Sequence, residues 1–599
     1  MKLSQVARNL TGWFGLCLLA ATPCCHCDSH AATPENPHPQ PVAEFSLRDY
    51  RGKLHKLSDY SDRELVVLVF LGTECPLVKL YAPRLEELQQ RFANRKVAIL
   101  GVNSNPQDTL TEIASYARQH SLTFPILKDA DGALADALQA TRTPEVVVLD
   151  GARVVRYQGR IDDQYTPGVQ WRAPKRQDLA VALDELLADD PVSVSRTEPA
   201  GCLIGRAART EPKGNITYAS HVAAIFNRRC VECHRAGEIG PFPLTSYDEA
   251  AGWADMIREV VQERRMPPWF ADPKFGHFDN NARLTDEELT TLCTWVDNGA
   301  PAGDLGQAPP LPQFTAGWQI REPDLVFHMS DQPFVVRAEG TEEYQSFELD
   351  PGFTEDVWIQ QAEARPGNRT VVHHHLAYFI PPGGDRQMSQ VQNQIAGYAP
   401  GTPPFIYPPG TARRIPAGSK LVFQMHYTPV GSEQTDRSSL GLVLADPKTV
   451  QREVRNEIAG TIGIRIPPGD KDHRLHAKRR FRHDTLLLNL APHMHLRGKS
   501  FRFELEHPDG TLETLLDVPK YDFNWQLRYD LAEPRLIPAG SKLHCYASFD
   551  NSADNPWNPD PTKEVTFGEQ TWEEMMFGVF QTVEPAQPAE DLTRQVSQD

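Results

Sequence analysis

The spacing of apolar residues changes twice along this chain, and that change limits the fold more than any single motif. Up to about residue 190, short apolar runs alternate with stretches of helical period. From 215 to about 305 the pattern is helical. From 318 onward long helical patterns disappear, and short alternating runs stand between Gly and Pro turns. Three textures imply at least three hydrophobic cores, and 599 residues are too many for one core. The expected fold class is therefore multidomain: an α/β unit, an all-α unit, then two all-β units. The boundaries read as a signal peptide over 1–32, an α/β unit over 42–190, a linker over 191–214 and a helical unit over 215–305. A Pro-rich linker follows over 306–317, then β units over 318–455 and 456–590.

The formal charge of −18 repels nucleic acid and anionic lipid, so neither is an expected partner. No internal apolar run reaches the length of a membrane span. Lys2 and Arg8 ahead of the apolar stretch Gly12–Ala21, with Ala31 and Ala32 beyond it, read as an export signal. Pro23 before Cys24 argues against a lipid anchor. The expected location is periplasmic or extracellular. Removal of the signal leaves Cys75, Cys202, Cys230, Cys233, Cys293 and Cys545.

In the first unit, GTECP (Gly72–Pro76) stands at a strand-to-helix junction, and TRTP (Thr141–Pro144) precedes a later strand. A thiol at a helix N-terminus meets exposed N–H groups and the positive end of the helix dipole, which lower its pKa. Cys75 is the candidate catalytic thiol on that ground. The unit resembles the thioredoxin-fold redoxins of the peroxiredoxin and thiol-oxidoreductase group (AhpC/TSA-like). The resemblance implies a cis Pro144 beside the thiol. The paired cysteine of that group would stand at Val78 and is absent, and Thr73 is two residues before the thiol, where the peroxidase type places a Thr three before. Cys202, in PAGCLIG, is a candidate partner for Cys75. An idle Cys75 and a structural Cys202 remain the alternative.

The second unit carries Cys230-Val-Glu-Cys233-His234. Two thiols three apart can add to the two vinyl groups of one haem, and the adjacent His reaches the iron from the same face. One haem c is expected, bound by Cys230 and Cys233 with His234 as axial ligand. A zinc site using Cys293 and His277, or a disulfide, is the competing reading. The unit resembles a small cytochrome c. That resemblance implies Met266, in RRMPPW, as the second axial ligand, with His277 as fallback.

The third region holds three histidine groups: VVHHHLAYF (His373, His374, His375), VFQMHYTP (His426) and LAPHMHLRG (His493, His495). Imidazole suits copper in both oxidation states, and thioether favours Cu(I). On a strand, H-x-H puts both rings on one face, whereas the adjacent His373 and His374 need a twist or bulge to reach one ion. The ordered set HH, Q-x-HY, H-x-H and a late Met resembles the type II, ascorbate-dependent copper monooxygenases, the peptide-amidating and dopamine-hydroxylating enzymes. The resemblance implies two jelly-roll-like domains and two coppers. His373, His374 and His426 would hold the electron-supplying ion. His493, His495 and Met575 would hold the one that meets O2. A shift to His374 and His375, or to Met576, stays open. Ala491 and Val579 replace an Arg and a Tyr of that group, so a peptide C-terminus is not the expected substrate. The reading is a copper monooxygenase-like oxidoreductase with catalytic Cys75, His493, His495 and Met575, an unknown small-molecule substrate, and an external donor, either an ascorbate-like reductant or a redox protein. A copper-storage or thiol-redox protein that handles peroxide, without monooxygenase activity, is the alternative.

Overall fold

A computed structural model describes residues 40–206, 213–314, 317–340 and 342–583. The expected signal peptide over 1–32 lies outside the described residues.

The N-terminal unit is built on a seven-stranded sheet. Its order is Leu54–Lys56, Ser46–Asp49, Ile126–Lys128, Val97–Asn103, Leu65–Phe70, Glu145–Leu149, Val155–Gly159. Leu65–Phe70 is apolar throughout because both its faces are covered. Val67 and Val69 meet helices Pro76–Phe92, Leu110–Gln119 and Asp178–Leu187, while Val66, Leu68 and Phe70 meet the side of Leu134 and Leu138. This is a thioredoxin-like α/β sandwich, and its helix Pro76–Phe92 begins at the strand-to-helix junction GTECP.

Residues 215–305 are less helical than expected. A turn of wide helix over Tyr218–Val222 continues into Ala223–Arg229, and Asp286–Asp297 closes the unit behind a Thr285/Glu288 capping box. Between them the chain forms two short helices, Tyr247–Gly252 and Ala254–Gln262, with a break at Trp253. Gly252 lies so close to the N-terminal unit that a Cβ there would stand 2.6 Å from Gln107 Cβ. Trp253 turns inward to stack on Phe242, with ring centroids 4.1 Å apart. The segment after the second helix leaves the helical core. Trp269 and Ala271 join the core of the last β unit, and Phe278 pairs with Leu531.

The C-terminal region is a large all-β structure. One four-stranded sheet holds Gln345–Leu349, Lys420–Tyr427, Val372–Ile380 and Gln394–Tyr398. A second holds His473–Arg480, Lys542–Phe549, Gly498–Glu506 and Leu512–Val518. A nine-stranded sheet serves both. Its halves meet where Thr411–Ile415 runs parallel to Arg452–Thr461 for two residue pairs. Strand Arg452–Thr461 therefore passes through the 455/456 junction without a break. Two cores result, one around Phe423, Met425 and Tyr427, the other around Phe501, Phe503 and Met576. No helix among the described residues is long and apolar enough to cross a membrane.

Candidate functional site: a thiol pair and two histidine groups

Cys75 is the N-cap of helix Pro76–Phe92, with extended backbone and Pro at the first helical position. It is fully buried, and its thiol donates to the Thr143 carbonyl at 3.0 Å. The Thr143–Pro144 peptide is cis. Strand Cys202–Leu203 lies antiparallel to Arg142–Thr143, with Cys202 opposite Thr143. Gly201 permits this approach, because a Cβ there would stand 2.0 Å from the Thr143 carbonyl oxygen, and its φ is +128°.

The two thiols are thereby brought together. Burial opposes the Cys75 thiolate, but hydrogen bonds from the Cys202 thiol and N–H, the Val78 N–H and the Thr143 side chain outweigh it. They bring the group down to about 6. The hydrogen bond to Cys75, together with burial, pushes Cys202 well up. One proton shared by two thiols makes the first a nucleophile and keeps the second in reserve. The family position for a second cysteine, Val78, is buried in the apolar core. Helix Ala254–Gln262 backs the Cys202 strand: the Leu203 N–H points at Met256 Sδ (3.5 Å), and Arg142 pairs with Glu259 at 2.9 Å.

In the helical segment, His234 Nδ1 lies 3.0 Å from the Phe242 carbonyl, which leaves Nε2 free as a ligand atom. Cys230 and Cys233 are not disulfide-bonded, and burial pushes their thiols up to about 12 and about 11. These three side chains fit covalent haem attachment. Met266, half-buried, follows the helix end with its N–H on the Val260 carbonyl. The fallback ligand His277 lies on the departing segment, where its carbonyl accepts the Ala532 N–H. Among the described residues, the group of three His, Cys, Asp or Glu side chains with converging ligand atoms lies elsewhere.

That cluster is His373, His374 and His426, whose ligand atoms all lie within 4.8 Å of one another. His374 stands directly opposite His426, and the ladder shifts register between Val372 and His374. His373 is the extra residue of that bulge, so two adjacent rings reach one side of the sheet. His373 Nδ1 and His426 Nδ1 are 3.4 Å apart. Two nitrogens about 2.0 Å from one ion in tetrahedral or trigonal geometry stand about 3.3–3.5 Å apart, so this spacing fits a shared metal. His374 Nε2 is buried with no protein partner. Burial holds the His373 and His426 imidazoles neutral, down to about 4 and about 3. His375 turns to the other face and stacks on Phe423 at 5.2 Å.

His493 ends strand Thr485–His493, and its ring stands 5.3 Å from that of His495. Met494 between them packs in the core, and so does Met576. Met575 is buried just ahead of strand Met576–Val583, outside the ladder that opposes His493 to Phe577. Each histidine has Nδ1 engaged, His493 by Gln526 Oε1 at 2.7 Å and His495 by the Glu573 carbonyl at 3.2 Å. Their Nε2 atoms remain for a metal. The buried Glu574 carboxylate accepts the His495 and Arg497 N–H groups at 2.9 and 2.7 Å and so fixes the H-x-H turn. Phe523 stands between the two histidine groups, 6.2 Å from His374 and 5.9 Å from His495. Sequence patterns point to the histidines but not to Phe523 or Gln526, whose segment YDFNWQL has no metal-ligand spacing. Glu574 had one available signal, its place beside Met575.

Residues 39–163 match the AhpC/TSA family. Thioredoxin-like protein YneN of Bacillus subtilis (strain 168) is 30% identical over 118 residues, which cover 20% of this chain and 68% of that protein. Thiol-disulfide oxidoreductase ResA of Halalkalibacterium halodurans is 26% identical over 109 residues, 18% of this chain and 60% of ResA. Among solved structures, hypothetical protein SMc02350 from Sinorhizobium meliloti 1021 is 29% identical, with coverage of 28% of this chain and 93% of that one and a TM-score of 0.26. All of the sequence similarity in the two curated relatives spans a fifth of the chain or less. Through its N-terminal unit, the chain belongs to the thioredoxin-like AhpC/TSA family.

Proposed function

We propose that this protein is an exported redoxin-type thiol oxidoreductase in which Cys75 is the attacking thiol and Cys202 the resolving one. The contact between these two side chains carries the reading. The Cys75 thiolate attacks one sulfur of a substrate disulfide, forms a mixed disulfide and releases the first substrate thiol. Cys202 then loses its proton and attacks Cys75 Sγ. The second substrate thiol leaves with that proton, and a Cys75–Cys202 disulfide remains. Two electrons pass to the substrate. The likeness to ResA, named a thiol-disulfide oxidoreductase, supports this chemistry. The test mixes reduced Cys202→Ser protein with glutathione disulfide. A stable Cys75–glutathione adduct supports the assignment. Release of both thiols at the wild-type rate overturns it.

A second reading rests on the imidazole cluster. His373, His374 and His426 would hold one copper, and His493, His495 and Met575 another. Cys230, Cys233, His234 and Met266 would hold one haem c. Bound copper supplies one-electron and dioxygen chemistry, and the haem supplies one-electron transfer. The chain's own contribution is to keep the imidazoles neutral and aimed. The C-terminal region would then be a monooxygenase-like module acting with O2 on an unknown small molecule. Dioxygen uptake by reduced, copper-loaded protein in excess of its stored electrons supports this reading. Uptake limited to those electrons assigns copper storage instead.

A further inference from the structure

We infer that Gln526 is a positioning residue for the second ligand set, and that its loop is the joint holding both histidine groups. The inference rests on the copper reading. It goes beyond that reading by assigning a residue that would touch neither ion.

His493 is the last residue of its strand. Its ring lies nearly parallel to that of its ladder partner Phe577, with centroids 6.4 Å apart. That contact sets the plane of the imidazole but not which nitrogen carries the proton. Gln526 Oε1 at 2.7 Å from Nδ1 settles the tautomer. An amide oxygen only accepts, so Nδ1 holds the hydrogen and the Nε2 lone pair is free. His495 gets the same service from a backbone carbonyl, which no substitution removes. Gln526 is thus the one side chain through which the tautomer of this pair can be changed.

The same loop reaches the other group. Phe523 meets His374 and His495 edge-to-face, at interplanar angles of 83° and 82°, and so spaces the two groups from between. Asn524 Nδ2 donates to the Gly168 carbonyl at 3.3 Å, on the N-terminal unit's hairpin Tyr165–Thr166/Val169–Gln170. Gly168 has φ +77°, and a Cβ there would stand 3.0 Å from Asn524 Nδ2. Phe523, Asn524 and Gln526, within four consecutive residues, therefore touch both histidine groups and the redoxin unit.

The test is Cu(I) binding to the full chain by competition with a chromogenic chelator, on wild type, Gln526→Leu and Gln526→Glu. Glutamate keeps an acceptor oxygen for Nδ1–H, and leucine keeps only bulk. Loss of an outer hydrogen bond to a ligating histidine weakens metal binding about 10–100-fold. Gln526→Leu is expected to weaken one of two coppers by that factor and leave the other unchanged. Gln526→Glu is expected to restore it. Two coppers at wild-type affinity in Gln526→Leu overturn the inference and leave the copper reading standing. Equal weakening in both variants also overturns it, because packing alone would then explain the effect. Wild-type protein that holds no copper overturns the copper reading and this inference together.

Discussion

The Cys202 thiol reaches Cys75 across the cis Thr143–Pro144 turn and hydrogen-bonds it. A helix N-terminus alone would give Cys75 modest activation. The second thiol supplies the hydrogen bond that lets a fully buried sulfur ionise near neutral pH.

Cys75 falls from 9.0 to about 6 in the folded protein. Thiolate absorbance of the reduced chain should rise with a midpoint near pH 6, and Cys202→Ala should move that midpoint up. Between about 6 and 9 the unfolded chain binds more protons at this group than the folded one. The stability it contributes is therefore complete above 9 and is lost as pH falls through 6. Urea unfolding of the reduced protein between these values checks the sign.

Gly201→Ala forces a Cβ into the Thr143 carbonyl at a φ that L-residues rarely adopt. The expected cost is about 1–3 kcal/mol. The thiolate midpoint should rise as Cys202 is displaced. Denaturant melts and the absorbance titration read the two effects separately.

Met576 packs in the core, and Met575 precedes its strand. Met575→Leu should weaken Cu(I) at the second ligand set. Met576→Leu should leave copper unchanged and cost less than about 1.5 kcal/mol, as a core swap of similar volume. Chelator competition distinguishes them, and the reverse result would reassign the thioether.

In protein matured with haem-attachment machinery, Met266→Leu should keep the covalent haem and lower its reduction potential, since a thioether axial ligand raises it. An unchanged potential removes Met266 from the iron.

Local chemistry was legible in the sequence, and non-local contact was less so. The helix beginning at Pro76 could be read because its N-terminal Pro and apolar period are local signals. The need for a twist or bulge at His373 followed from strand alternation alone, and the ladder shifts register there. The choice between Met575 and Met576 was not legible, because the last strand's register is set by its pairing with Thr461 and His493. The break at Trp253 depends on Gln107 of another unit, and Gln526 meets His493 only through the tertiary fold. Cys202 was a candidate by position only. What places it is a two-residue ladder too short to leave a periodic pattern.

The most direct measurement is peptide mapping of the full chain after oxidation by a stoichiometric small disulfide. The account predicts a Cys75–Cys202 linked peptide that disappears on reduction. Recovery of both thiols unlinked, or of Cys202 joined to any cysteine other than Cys75, would contradict it.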